Sequence, residues 1–325
     1  MNLYFAPLEG ITTYVYRAAH RQSFPACADK YFAPFLMPHV KRDMNFKEKR
    51  DLAPENNAGI PLVPQLLTDS AEDFLRYQRI LTDLGYEEIN LNLGCPSPTV
   101  TSKGRGAAFL ARTEELDRFL DTVFSGSIGR ISVKSRIGVE AAEEFPKLLE
   151  IFNRYPIEEL ILHPRTKKEF YGGLPHREAF LYAMRCSTNP LVFNGDLWTV
   201  EDAASLDRMI RDALSKDACR QTEYGLMLGR PGIADPALFR KLKGGPDITE
   251  EEQQAFLDRV VGGYREMLHD DHQILFRMKE LWTWMIRRYP GHEKTMKKML
   301  KQKHLEDFLA LQDALGPVCD KDRCD

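Results

Sequence analysis

A chain of 325 residues with 43% hydrophobic content can bury one large core and a smaller second one, which excludes a disordered segment or a minimal module. Its net charge of −3 excludes a globally basic nucleic-acid binder, yet the balance is uneven: Gln273 to His304 holds nine Lys and Arg against two Asp and Glu, which leaves the remainder near −10. The six cysteines, Cys27, Cys95, Cys186, Cys219, Cys319 and Cys324, make no C-x-x-C pair and no zinc-finger spacing with His, which argues against a disulfide framework or a metal site and for reduced thiols in a cytoplasm.

The first residues form a strand-like run, Leu3–Ala6, and no signal peptide is expected. No apolar run approaches the ~18 residues needed to span a bilayer, so no membrane association is expected. Short apolar runs predict strands at Leu3–Ala6, Tyr31–Phe35, Leu62–Leu66, Glu88–Asn92, Ile131–Ser135, Leu160–His163, Leu191–Asn194 and Gly225–Leu228. Amphipathic stretches between them predict helices at Tyr14–Arg21, Ser70–Leu84, Thr113–Phe124, Glu143–Tyr155, Arg177–Arg185, Val200–Leu214 and Pro236–Leu242. Thr68 or Asp69 is the expected cap of the second helix and Thr113 that of the third. Alternating β and α units mean a parallel sheet, and eight of them predict an α/β (β/α)8 TIM barrel. A doubly wound open sheet is the competitor; no G-x-G-x-x-G follows the first strand to support it. Pro61 and Pro64 fit poorly in a central strand. Met37 to Gly59 is a long polar connection on the side where barrel sites form, and reads equally as a functional segment or a solvated loop.

After Lys243-Gly244-Gly245-Pro246 the pattern turns wholly helical. Thr249 with Glu252 spells a capping box, and Phe256, Val260, Tyr264 and Leu268 recur every four residues. Ile274, Met278, Leu281, Trp282 and Met285 form a second stripe, and Glu293–Gln302 and Leu305–Leu315 two shorter helices. The expected organisation is a barrel over 1–243, a small all-α helical bundle over 247–318 and a polar tail over 319–325.

Barrel chemistry sits at the C-terminal ends of strands. Here those ends bring Pro7-Leu8-Glu9, Gln65, Asn92 with Cys95, Lys134 with Arg136, His163 with Arg165 and Thr166, Asn194-Gly195-Asp196, and Gly229-Arg230. Each has a bland account alone. Cys95 can be a small buried hydrophobe, His163 a satisfied core histidine, and Asn194-Gly195-Asp196 a turn. Together they describe a polar pocket. Gly195, Gly229 and Arg230 suit a phosphate, while Gln65 and Lys134 suit a flat heterocycle, and FMN is the ligand that fits best.

The set resembles the bacterial type of the tRNA-dihydrouridine synthase family. The likeness is carried by LNLGCPSPTVTSKGRGAAFL over Leu91–Leu110, with APLEGIT, VKSRIG, HPRT, NGD and MLGR in order around it. It implies an FMN-dependent oxidoreductase that reduces the uracil C5=C6 bond of tRNA uridines, with NADPH as reductant. Hydride would pass from FMN N5 to C6, and a proton from Cys95, the family's catalytic acid, to C5. By the same resemblance Pro7, Leu8 and Glu9 lie along the flavin, and Gln65 and Lys134 bind its ring. His163, Asn194, Gly195, Asp196, Gly229 and Arg230 hold its ribityl and phosphate end. Asn92, Arg136, Arg165 and Thr166 are the expected substrate contacts in the pocket. Arg287, Arg288, Lys297 and Lys298 of the basic segment are the expected contacts to the tRNA backbone, the bland account being a solvated helix face. The sequence departs from the family pattern at Leu8, where Met is common, at Pro231, and in a longer Ser205–Gly225 stretch. The protein is expected to be a cytoplasmic monomer without metal. The competing readings are an FMN barrel acting on a free pyrimidine and a noncatalytic RNA-binding barrel.

Overall fold

The computed structural model describes residues 1–39, 43–216 and 220–315. Cys219, Cys319, Cys324 and the tail over 319–325 lie outside the described residues, as do parts of the Met37–Gly59 and Ser205–Gly225 connections.

Each apolar run of the first 242 residues forms a parallel strand, and the amphipathic stretches between them lie outside as helices. In chain order the barrel segment runs β1 (Leu3–Phe5), α1 (Tyr14–Ser23), β2 (Lys30–Phe32), α2 (Phe46–Leu52), β3 (Leu62–Val63), β4 (Gln65–Leu66), α3 (Ala71–Asp83), β5 (Glu88–Leu93), α4 (Pro98–Thr101), α5 (Thr113–Gly126), β6 (Arg130–Arg136), α6 (Phe145–Phe152), β7 (Leu160–His163), α7 (Arg177–Cys186), β8 (Leu191–Phe193), α8 (Val200–Lys216), β9 (Tyr224–Leu228), α9 (Arg230–Ala234) and α10 (Leu238–Leu242). The strand order is β3-β2-β1-β9-β8-β7-β6-β5-β4. β3 and β4 are halves of one stave, broken at Pro64. β3 pairs with β2 and β4 with β5, so the ring closes as eight staves. The prolines are tolerated because their carbonyls still accept: Pro61 from Tyr31 N at 2.8 Å and Pro64 from Asn90 N at 2.9 Å.

The period of two along each strand sorts side chains between two cores. Ile89, Leu91 and Leu93 join the layer under the helices. The barrel interior holds Tyr4, Phe32, Val63, Ile161, Val192 and Met227, with the polar inward residues of β4, β5 and β6 beside them.

Several local expectations are corrected. Ser70, not Thr68 or Asp69, caps α3: its hydroxyl accepts from Asp73 N at 3.2 Å, while Asp69 is taken by Arg105 at 2.8 Å. Thr113 is the first helical residue of α5 rather than its cap. The Met37–Gly59 connection contains α2, begun by a capping box of Asn45 and Glu48. Buried Arg17 ties that segment to the barrel, bonding Asn57 Oδ1 at 2.9 Å and the Asp51 carbonyl at 2.7 Å.

Beyond α10, no strand occurs among the described residues. α11 (Glu250–Leu268), α12 (Asp271–Met285), α13 (Glu293–Leu300) and α14 (Leu305–Asp313) follow, α11 opening on the capping box of Thr249 and Glu252. α11 lies against α1 so closely that a Cβ at Gly263 would meet Val15 Cγ1 at 2.8 Å. Among the described residues no helix is long and apolar enough to cross a membrane.

Candidate active site

A cavity of about 560 Å³ opens where the strands end. Cys95 stands at one end of it, on the loop that leaves β5. Its position is fixed from below by a chain of amides. Ser132 Oγ accepts from Asn90 Nδ2 at 2.9 Å, Asn90 Oδ1 from Gln65 Nε2 at 2.7 Å, and Gln65 Oε1 from Asn92 Nδ2 at 2.7 Å. Asn92 Oδ1 then accepts the backbone N–H of both Gly94 (3.0 Å) and Cys95 (2.9 Å). Gln65 and Asn90 are fully buried, so these bonds are directional and dry. Asn92 and Gln65 line the cavity, each NH2 keeping a second donor. From above, Ala107 N bonds the Cys95 carbonyl at 3.0 Å. Gly106, at φ +57°, passes so near that a Cβ there would meet that carbonyl oxygen at 2.7 Å. The glycine of this loop is therefore required by the approach to Cys95.

Burial pushes the Cys95 thiol above its ordinary pKa, against a smaller opposing pull from Lys134 and Arg136. Lys134 lies in register with Asn92 on β6 and lines the same end. Burial and the neighbouring Arg136 bring its ammonium down to about 7. Burial and four surrounding cations hold His163 well below its ordinary value, so it is neutral. Arg165 Nη1 donates to His163 Nε2 at 3.1 Å, which leaves the ring proton on Nδ1.

Around Arg230, beyond β9, the cavity is built of charge and rings, and Tyr171 there also lies 5.5 Å from the Arg136 guanidinium. Arg230 Nη2 meets Asp196 Oδ1 at 2.6 Å, and Tyr171, Trp284 and Trp198 surround its guanidinium at 4.5, 5.6 and 5.8 Å. Pro7, Leu8, Glu9, Asn194, Gly195 and Gly229 complete the predicted residues that line the cavity. Gly195 has a packing reason of its own, since a Cβ there would meet the Phe193 ring at 2.6 Å. Asn194 Nδ2 donates to the Met227 carbonyl at 2.8 Å.

The remaining predicted residues are engaged by the protein itself or lie away from the cavity. Arg165 is fully buried: it donates to the carbonyls of Gly172 (3.0 Å) and Gly173 (2.6 Å) and pairs with Asp196 Oδ2 at 2.6 Å, so it shapes the β7–α7 loop. Thr166 is buried beside it, its hydroxyl on Glu169. Arg136 lines the cavity, but Nε and Nη1 are engaged by the carbonyls of Gly94 (2.9 Å) and Thr166 (2.7 Å), tying the Cys95 loop to the β7–α7 loop. Arg288 is held by Asp235 at 2.7 Å and Asp247 at 3.2 Å, which removes it from the surface expected to meet RNA. Arg287 is exposed and stacks on Trp198 at 4.0 Å. Lys297 and Lys298 are exposed on α13, away from the cavity lining.

Sequence reasoning missed Phe170, Tyr171, Trp198 and Trp284. Tyr171 follows HPRT by a few residues on the same loop, and Trp198 follows Asn194-Gly195-Asp196, so nearness to strand ends was the available signal. Trp284 falls between the stripe residues Trp282 and Met285 and is not itself one of them.

A family profile described as "Dihydrouridine synthase (Dus)" matches residues 4–315. The tRNA-dihydrouridine(16) synthase of Cupriavidus necator is 27% identical over 277 residues, covering 82% of this chain and 82% of that relative. A probable tRNA-dihydrouridine synthase of Staphylococcus aureus (strain COL) is 23% identical over 98% of this chain and 94% of its own. Among solved structures, a histamine dehydrogenase from Rhizobium sp. 4-9 is 13% identical with a TM-score of 0.49, over 82% of this chain and 49% of that longer one.

Proposed function

This chain belongs to the dihydrouridine synthase family, an oxidoreductase family that forms dihydrouridine in tRNA, and from that premise we propose that Cys95 is the proton donor to C5 of a tRNA uracil held in this cavity. The residues present suit a flavin nucleotide. The cavity of about 560 Å³ matches a cofactor-sized ligand, with amides and an ammonium at one end and a guanidinium at the other. Gln65 and Lys134 would hold the ring, and Arg230 with the backbone at Gly195 and Gly229 the phosphate; Pro7, Leu8, Glu9, His163 and Asn194 would line its length. When bound, FMN renewed by NADPH supplies the hydride that C6 takes up.

The observation that carries the proposal is the fixing of Cys95 by Asn92, which accepts the backbone N–H groups of Gly94 and Cys95 at 3.0 and 2.9 Å, with the thiol half-buried against the cavity. A general acid must hold its proton until the transition state, and burial keeps this one neutral. Charge develops on C5 and O4 as C6 gains its hydride, and the Sγ proton moves to C5. The thiolate left behind is stabilised by the Lys134 charge until solvent restores its proton. Lys297 and Lys298, within the helical segment over 247–318, are proposed to meet tRNA phosphates, and the protein to work in the cytoplasm as a monomer.

Single-turnover reaction of the prereduced enzyme with unmodified tRNA tests the assignment. Cys95→Ala should keep its flavin and slow the step by about 10²–10⁴-fold. A rate matching the unsubstituted enzyme would refute it.

A further inference from the structure

We propose that α12 is a base-stacking rail for the nucleotides flanking the target uridine, with Phe276 at one end and the Trp198–Arg287 pair at the other. The inference rests on reading the cavity as a uridine-reducing site.

One face of α12 is core: Ile274, Leu275, Met278, Leu281, Trp282 and Met285 are buried. Phe276, Glu280 and Trp284 stand at i, i+4 and i+8, a single stripe on another face, and Arg287 follows on the 3-10 turn Ile286–Arg288 that continues the helix. Two contacts pin this helical segment to neighbouring loops of the barrel. Arg277 Nη1 donates to the Gly10 carbonyl at 3.0 Å, beyond β1, and Arg287 stacks at 4.0 Å on Trp198, beyond β8. Trp284, between them, lines the cavity itself. The stripe is therefore continuous with the pocket. Phe276 to Trp284, eight residues at 1.5 Å each, span about 12 Å, and Trp284 brings that stripe to the cavity.

The chemistry of both ends suits nucleotides. Phe276 is 56% exposed, an apolar ring with no packing role that accounts for it, and the Arg277 guanidinium lies 5.9 Å from its centroid. Trp198 and exposed Arg287 repeat the pairing of ring and cation. A ring offers a face to any base; Arg287 adds an exposed charge for a phosphate, while Arg277, paired with Glu280 at 3.0 Å, holds the Phe276 end of the helix in place. An apolar protein partner would need a contiguous apolar patch, whereas polar Glu280 and exposed Thr283 interrupt this stripe. The α13 lysines offer charge alone, so they serve the backbone and not the bases.

Steady-state kinetics with an unmodified tRNA transcript test the proposal. Phe276→Ala and Arg287→Ala should each raise the KM for tRNA about tenfold, with Phe276→Trp restoring it. Flavin content reports folding, and Phe46→Ala, another exposed phenyl on α2, is the control. In parallel, 2-aminopurine placed beside the target uridine should be quenched on binding the unsubstituted protein and not on binding Phe276→Ala. A KM within twofold in Phe276→Ala, or quenching that survives the substitution, would overturn the rail. An unsubstituted enzyme that leaves tRNA without dihydrouridine would instead sink the parent reading.

Discussion

The two ends of the cavity are held by different physics. At Cys95, three neighbouring staves contribute Gln65, Asn90, Asn92 and Ser132, and fixed hydrogen bonds of 2.7–3.0 Å run from the barrel interior to the backbone of the reactive residue. At Arg230, the partners are a carboxylate and three rings from segments up to 113 residues apart, Tyr171, Trp198 and Trp284. Amides tolerate little displacement, because their energy falls steeply with angle. Ring and charge contacts are broad in geometry. The difference suits the tasks: a proton must be delivered to one atom, whereas a ligand's charged end must enter and be gripped.

Breaking the rigid end should have the larger effect. Asn92→Ala leaves two backbone N–H groups and Gln65 Oε1 without their partner. Such orphans cost about 1–3 kcal/mol each in stability, and a displaced acid slows transfer by roughly 10²-fold. Urea denaturation and single-turnover reduction of tRNA would register both. A stable variant with an unaltered rate would mean that Asn92 does not position Cys95. At the adaptable end, Arg230→Lys keeps the charge but loses the planar fork and the ring stacking. Flavin affinity should fall about tenfold, measured by equilibrium titration of the ligand-free protein, with the single-turnover rate at saturating flavin much less affected. Equal losses of affinity and rate would erase the distinction between the ends.

How much of this was readable before folding follows the same division. The Cys95 end could be read because strand period and strand termini are local. Asn92 and Cys95 share one run, and Gln65 and Lys134 each end another. The Arg230 end could not, because Tyr171, Trp198 and Trp284 look like ordinary core rings until closure of the barrel and docking of α12 bring them around one guanidinium. Arg165 and Arg288 are held by carboxylates that their sequence positions do not reveal, for a related reason. Whether an arginine meets solvent depends on which carboxylates the fold supplies, here Asp196 and Asp235. α2 was missed although Asn45 and Glu48 spell its capping box, because seven residues are too few to show an apolar stripe.

The smallest expected effect separates the ends by titration. Lys134, at the Cys95 end, has a pKa lowered by burial from 10.5 to about 7, whereas its unfolded value is the ordinary one. Between those values the unfolded chain binds a proton that the folded protein does not, so stability rises with pH across that window. Below it both states are protonated and the cost of burying the charge is fully present. Lys134→Met removes the titration. Compared with the unsubstituted protein, the ligand-free variant should melt higher at pH 6, and the gap should close as the pH approaches 10. A gap independent of pH would mean that Lys134 is solvated enough to keep its proton. The rigid end would then be wetter than its hydrogen bonds suggest, and the contrast with the Arg230 end correspondingly weaker.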